Sequence, residues 1–293
     1  MSSLLALLQI TAPVMIVTAV GYVWRRRRLA FSHSFVTQYV SLVGAPALVF
    51  VTLLDSHFAL LDIARMGGAT LLCLLLFALV SMIALRIGGF DQRVYLPSLV
   101  FANIGNMGLP ICLHAFGARG LALAMIYFTV TTIGQFTFGP AIASGRVSLG
   151  AVLRAPFLYA AIAAVGCSQA GLSFPDWVLK TLQLLGDMTV PLMLLGLGFA
   201  LAEFGASAWR RQGLFALARI GMGFAGGLLV AALFGFTGAE RGVLIIESAM
   251  PVAVFNYFFA REYGAHAEEV AGMVLISTLV GYVLLPGILF VAL

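Results

Sequence analysis

The chain has 293 residues, 62% of them hydrophobic and 9% charged, with a mean hydropathy of +1.09. A soluble domain carries roughly 25% charge, so a water-soluble globule is excluded, and apolar runs of about 18 residues or more recur along the whole length. The net charge is +5, with 15 of the 16 cations arginine, and these arginines cluster between the apolar runs. That pattern reads as membrane topology and not as nucleic-acid binding. Cys73, Cys112 and Cys167 fall inside apolar runs without CxxC spacing, so neither a disulfide framework nor a zinc site is indicated.

Breaks at charge, Gly and Pro predict spans near residues 4–24, 34–54, 64–86, 94–116 and 119–142, then 151–171, 177–201, 213–236, 241–261 and 269–291. No cation precedes the first run and Arg25 to Arg28 follow it, so it is read as a retained span and not a cleaved signal. The odd-numbered loops hold 11 cations: Arg25 to Arg28, Arg86, Arg93, Arg146, Arg154, Arg210, Arg211 and Arg261. The even loops hold Arg65, Arg119, Lys180 and Arg241, while Arg219, early in the eighth span, is expected to snorkel toward the odd side. The positive-inside rule then puts the odd loops in the cytoplasm and both termini outside. Arg25 to Arg28 read as a cytoplasmic anchor facing lipid headgroups.

Eight of the ten prolines repeat across the midpoint. Pro13 pairs with Pro156, Pro46 with Pro191, Pro110 with Pro251 and Pro140 with Pro286, at offsets of 143, 145, 141 and 146. Each pair occupies equivalent spans, and a half with five spans must enter the membrane from the opposite side when repeated. The expected fold is an all-α integral membrane protein, ten transmembrane helices as two inverted five-helix repeats, over residues 1–143 and 151–293 with a short cytoplasmic connector at 144–150. Such repeats are a secondary-transporter arrangement.

The fourth span, Leu96-Pro-Ser-Leu-Val-Phe-Ala-Asn-Ile-Gly-Asn-Met-Gly-Leu-Pro110, carries two amides, two glycines and a proline where lipid would keep a helix apolar. Pro110 is expected to break the helix against the Asn106 carbonyl, with Gly105 and Gly108 letting the backbone leave helical angles. The ninth span, Glu247-Ser-Ala-Met-Pro251-Val-Ala-Val-Phe-Asn256, is expected to break at its centre. Irregular backbone at that depth lines a cavity or lies buried in protein. Each second half-helix would begin with unpaired N–H groups at a positive dipole end, which favours an anion. Asn103, Asn106 and Asn256 can add donors, or they merely satisfy the broken backbone. The candidate substrate contacts are Asn103, Asn106, Gly108, Pro110, Pro251 and Asn256, joined by Gly105 and Gln135.

Ionisable groups within spans are functional candidates by default. Glu247 and Asp187 are the proton-coupling candidates, while His114 reads as a core or interface histidine. Gly221-Met-Gly-Phe-Ala-Gly226 fits GxGxxG but lacks a preceding strand; Gly223 and Gly227 suit close helix packing instead. No cofactor or metal is expected, and HExxH, P-loop and GxSxG patterns do not occur.

The chain resembles the auxin efflux carrier family in its short prokaryotic form, most specifically at Asn103-Ile-Gly-Asn-Met-Gly-Leu-Pro110, Met250-Pro-Val-Ala-Val-Phe-Asn256 and Phe259-Ala-Arg-Glu-Tyr-Gly264. The resemblance implies crossed, broken fourth and ninth helices as in bile-acid sodium symporters, a scaffold and homodimer interface from spans 1, 2, 6 and 7, and an elevator-like transport domain from spans 3–5 and 8–10. It implies organic anions as cargo: auxin in plants, malate or malonate in bacterial relatives. Asn103 matches a substrate-contacting Asn of plant members. Two features depart from them. The long central loop is reduced to roughly Ser144 to Leu149, and the apolar Ala-Leu-Val-Phe after Pro46 replaces a polar contact, which argues against auxin itself.

The expected function is a plasma-membrane transporter, not an enzyme, moving a small organic anion by alternating access with proton or sodium coupling open. The alternatives are a carrier whose main cargo is the cation, and a membrane sensor or intramembrane enzyme. For the latter, no second acid partners Asp187 in a protease motif.

Overall fold

In the computed structural model, residues 2–55, 60–144, 156–203 and 209–293 are described, and the expected connector at 144–150 lies almost wholly outside them. The first half contains α1 (Ser2–Arg26), α2 (His33–Tyr39), a π-helical turn (Val40–Gly44), α3 (Ala45–Asp55), α4 (Leu60–Gly88) and α5 (Gln92–Val100). A second π-helical turn (Ile104–Gly108) then leads into α6 (Leu109–Ser144). The second half contains α7 (Pro156–Gln169), α8 (Asp176–Asp187), α9 (Thr189–Glu203), α10 (Trp209–Leu233), α11 (Gly238–Ser248), α12 (Val254–Glu262) and α13 (Ala267–Ala292). Among the described residues, five helical stretches are long and apolar enough to cross a bilayer: Leu60–Gly88, Ile104–Gln135, Asp176–Phe199, Arg210–Leu233 and Ala267–Ala292.

Charge and glycine punctuate these helices as the apolar pattern requires. The Asp91 carboxylate caps α5 by accepting the Arg93 N–H at 2.8 Å. Gly117, at φ 64° and ψ −153°, bends α6 sharply between the predicted fourth and fifth spans, at angles that favour glycine. On the even-loop side Arg65 donates to the Phe234 carbonyl and Arg241 to the Val291 carbonyl, both at 2.7 Å. These cations satisfy orphan carbonyls at the ends of α10 and α13. On the odd-loop side Glu269 of α13 accepts from Tyr95 of α5 and pairs with Arg211 of α10, tying three helices together.

Packing is reciprocal between the halves: α1 runs along α9, and α7 runs along α3. Glycine sets the first contact, because a methyl group on Gly21 would overlap the Leu195 carbonyl and one on Gly198 the Thr18 carbonyl. The spans near 34–54 and 177–201 are locally irregular, at the π turn before Pro46 and at Met188 before Pro191, while Tyr39, Ala45 and Met188 keep right-handed helical angles. The two irregular sites touch. A Cβ on Gly44 would lie 2.5 Å from Thr189 Oγ1, and Tyr39 donates to the Leu185 carbonyl at 2.8 Å. The remaining core is built by α4, α5, α6, α10, α11, α12 and α13, with α11 packed between α6 and α10. The close approach expected at Gly223 and Gly227 is present, since both face Ser248 of α11.

Candidate functional site

Two chain breaks meet inside this helical mass. α5 ends at Val100 and α11 at Ser248, and the extended residues that follow pair antiparallel at Ala102 and Val252. Asn103 N–H donates to the Pro251 carbonyl at 2.7 Å, and Ala253 N–H to the Phe101 carbonyl at 3.2 Å. Ser277 of α13 accepts the Val252 N–H at 3.0 Å. The broken backbone is therefore satisfied locally, as burial demands.

The fourth-span break is not where the proline suggested. It falls at residues 101–103, and Pro110 is the second residue of α6, eight positions after the bridge residue Ala102. Pro110 is the seventh residue of the helical run that begins at Ile104 and follows its π turn, whose wider hydrogen-bond spacing accommodates the missing N–H. Pro251, by contrast, lies in the ninth-span break itself. The two prolines pair in sequence but not in structural role.

Asn256 clamps the crossing. Its Nδ2 donates to the Pro97 and Phe101 carbonyls, both at 3.1 Å, and its Oδ1 accepts from Gln135 Nε2 at 3.2 Å. Asn103 differs: it is buried and its Nδ2 has no hydrogen-bond partner. Neither second half-helix has a side-chain cap, since Asn103 precedes one and Ala253 the other without accepting an N–H. Asn106 is half-buried beside them. At Gly105 an added Cβ would lie 2.6 Å from Met193 Cε of α9 and 3.1 Å from the Phe128 ring. At Gly108 it would overlap the Glu247 carboxylate. Asn103, Gly105, Asn106, Gly108, Pro110 and Pro251 thus follow one another around the crossing, with Asn256 and Gln135 as its brace.

Glu247 is fully buried one residue before α11 ends. Cys112 Sγ lies 3.7 Å from its Oε1, and Oε2 has no partner. Arg219, expected to snorkel, does not. It is fully buried in α10, with its guanidinium 5.3 Å over the Phe77 ring and Nε and Nη1 without partners. Close packing of α10 on α11 through Gly223 encloses it. Its sequence signal is an arginine inside an apolar run, which marks a functional candidate as much as a buried acid does. Tyr127 and Ser248, whose hydroxyls lie 3.2 Å apart beside Cys73, complete a buried polar cluster that no sequence motif marked.

Asp187 stands apart from the crossing. It is exposed at the end of α8 and lines a cavity of about 490 Å3 with Leu48, Thr52, Leu113, Arg119 and Gln183. No crossing residue lines that cavity. His114 is exposed, which removes the core alternative of the two places expected for it, core or interface.

Residues 142–289, half of the chain, match the family model described as "Membrane transport protein". A protein of Methanocaldococcus jannaschii named an uncharacterized transporter is 26% identical over 259 residues, 82% of this chain and 83% of that protein. A transporter family points to a non-enzyme and to a multi-pass membrane protein. The chain belongs to the membrane transport protein family, that of the auxin efflux carriers.

Proposed function

We propose that the chain is a secondary transporter that carries a small organic anion, a mono- or dicarboxylate, across the plasma membrane by alternating access at the crossing. The observation that carries this reading is the buried, unpartnered Asn103 Nδ2 beside two half-helix N-termini that no side chain caps. A buried amide donor without a partner costs roughly 1–3 kcal/mol, and an entering carboxylate would remove that penalty while meeting the positive dipole ends. Asn106 orients the guest, and Gly105 and Gly108 let Met193, Phe128 and Glu247 pack directly against the backbone of the turn.

In this reading the ten helical passes form two inverted repeats, residues 1–143 and 151–293. The reciprocal packing of α1 on α9 and α7 on α3 supports a fixed scaffold of spans 1, 2, 6 and 7, which also carries the homodimer interface. Spans 3–5 and 8–10 move as the elevator. The cavity at Leu48, Arg119 and Asp187 lies between scaffold helices α3 and α8 and transport helix α6, where an access path belongs. Odd loops face the cytoplasm.

Purified protein in liposomes should take up labelled carboxylates saturably, screened over lactate, malate, malonate and indole-3-acetate. Uptake that stays linear with concentration for every acid would overturn the reading. One observation favours a second reading, a sodium or proton carrier: the unpartnered Glu247 Oε2 against Gly108. Sodium binding to detergent-solubilised protein in the absence of any carboxylate, abolished by Glu247→Gln, would favour it.

A further inference from the structure

Two opposite charges lie at membrane depth, and neither is neutralised by a contact. Glu247 and Arg219 are fully buried, with Glu247 Oε2 and Arg219 Nε and Nη1 unpartnered. They sit on adjacent helices on either side of Ser248. The Ser248 carbonyl packs against Gly223, and Arg219 Nη1 lies 2.8 Å from where a Gly223 Cβ would stand. Tyr127, hydrogen-bonded to Ser248, is within electrostatic reach of both ions.

The groups around Glu247 are few. α6 contributes Cys112, 3.7 Å from Glu247 Oε1, and Tyr127, and it is Tyr127 that Cys73 of α4 and Arg219 of α10 face in turn. α13 brings Glu268 and Glu269 in its first turn, where Glu269 is held by Arg211 and Tyr95, and Tyr282, which is held by Thr18. Arg219 is the cation of this buried cluster.

A buried ion without a countercharge costs several kcal/mol, so a unit that moves through the bilayer must be near neutral on every passage. With Glu247 ionised, the empty unit is neutral, because Arg219 supplies +1. A bound monovalent carboxylate would make it −1, unless Glu247 carries a proton. We propose that Arg219 and Glu247 form a charge-balancing couple: the loaded carrier moves with one monovalent carboxylate and one proton on Glu247, and the empty carrier returns with Glu247 ionised.

This rests on the reading that the crossing binds a carboxylate. The Glu247 carboxylate takes a proton from water on the side where the substrate enters and releases it to water on the other side; only that O–H bond forms and breaks. Arg219 is a positioning residue that touches neither substrate nor proton. The transport is an electroneutral symport of proton and carboxylate monoanion.

The test uses full-length protein in liposomes with labelled lactate and indole-3-acetate, the monoanions of the panel, each under an imposed pH gradient and, separately, a valinomycin potassium potential. Accumulation is expected to follow the pH gradient and ignore the potential. Glu247→Gln should lose accumulation by about tenfold or more while still exchanging carboxylate, since its loaded form alone is neutral. Arg219→Lys should keep coupling, and Arg219→Met should lose it. Wild-type accumulation that follows the potential, or Glu247→Gln accumulating like wild type, overturns the couple. If no acid is carried at all, the transport reading fails, and melting of the purified variants still decides the couple. Arg219→Met combined with Glu247→Gln should melt above Arg219→Met alone; additive losses overturn the proposal.

Discussion

Asn103 donates its backbone N–H to the Pro251 carbonyl at 2.7 Å, so the residue with an unpartnered side-chain amide is pinned by its main chain to the opposite half of the molecule. Its side chain is thereby held in place without being used. Shortening it should leave the fold intact and remove the donor. Asn103→Ala is expected to retain the wild-type melting temperature within a few degrees and to lose uptake by about 10–100-fold, the equivalent of one or two charge-assisted hydrogen bonds. Parallel melting and uptake curves on the same preparation check both parts.

Asn256 should behave in the opposite way. Its amide makes three hydrogen bonds, to Pro97, Phe101 and Gln135, all within the crossing. Asn256→Ala is expected to destabilise the protein by about 2–3 kcal/mol, since it strands Gln135 and weakens two buried carbonyls. Thermal unfolding in detergent reads this, and a variant as stable as wild type would remove Asn256 from the brace.

Two glycines on one helix give a sharper contrast. A methyl group at Gly223 would overlap the Ser248 carbonyl, whereas Gly221 has nothing within 4 Å. Gly223→Ala should therefore lower stability by roughly 1–3 kcal/mol through overpacking. Gly221→Ala should be neutral or raise it by about 0.5–1 kcal/mol through helix propensity. Melting temperatures of the two single variants decide the point.

The hydroxyls of Thr18 and Tyr282 lie 3.0 Å apart and join α1, in the proposed scaffold, to α13, in the proposed moving unit. Tyr282→Phe removes a bond of about 1 kcal/mol from this conformation, shifting the balance of states roughly fivefold toward the other. A Thr52→Cys reporter in the cavity, in a Cys167→Ser background, should then react more slowly with a water-soluble thiol reagent. Unchanged labelling would place the bond outside the moving interface.

Much of this arrangement was legible because lipid imposes strict rules on sequence. Helices lie within a few residues of the predicted spans wherever described, and breaks occur in the fourth and ninth, since amides, glycines and prolines at membrane depth have few other uses. What the residue pattern misplaced was the break in the fourth span, put at Pro110 instead of 101–103. A proline reports only where an N–H is missing, and the π turn ahead of Pro110 takes that up without breaking the helix. The irregularities before Pro46 and Pro191 keep helical angles at Tyr39, Ala45 and Met188, so the residue pattern does not mark them as breaks. Tyr127 meets Arg219 and Ser248 from 92 and 121 positions away by tertiary packing alone, which no local pattern encodes. Asn103 and Asn256 looked alike in sequence. Only the geometry of the crossing separates the amide that braces it from the amide left open.

The most direct test is a structure of the protein bound to whichever acid of the panel it takes up best. The account predicts a carboxylate within hydrogen-bond distance of Asn103 Nδ2, at the uncapped ends of the Ile104–Gly108 turn and α12. A carboxylate seated only in the cavity between Arg119 and Asp187, with the crossing unoccupied, would contradict it.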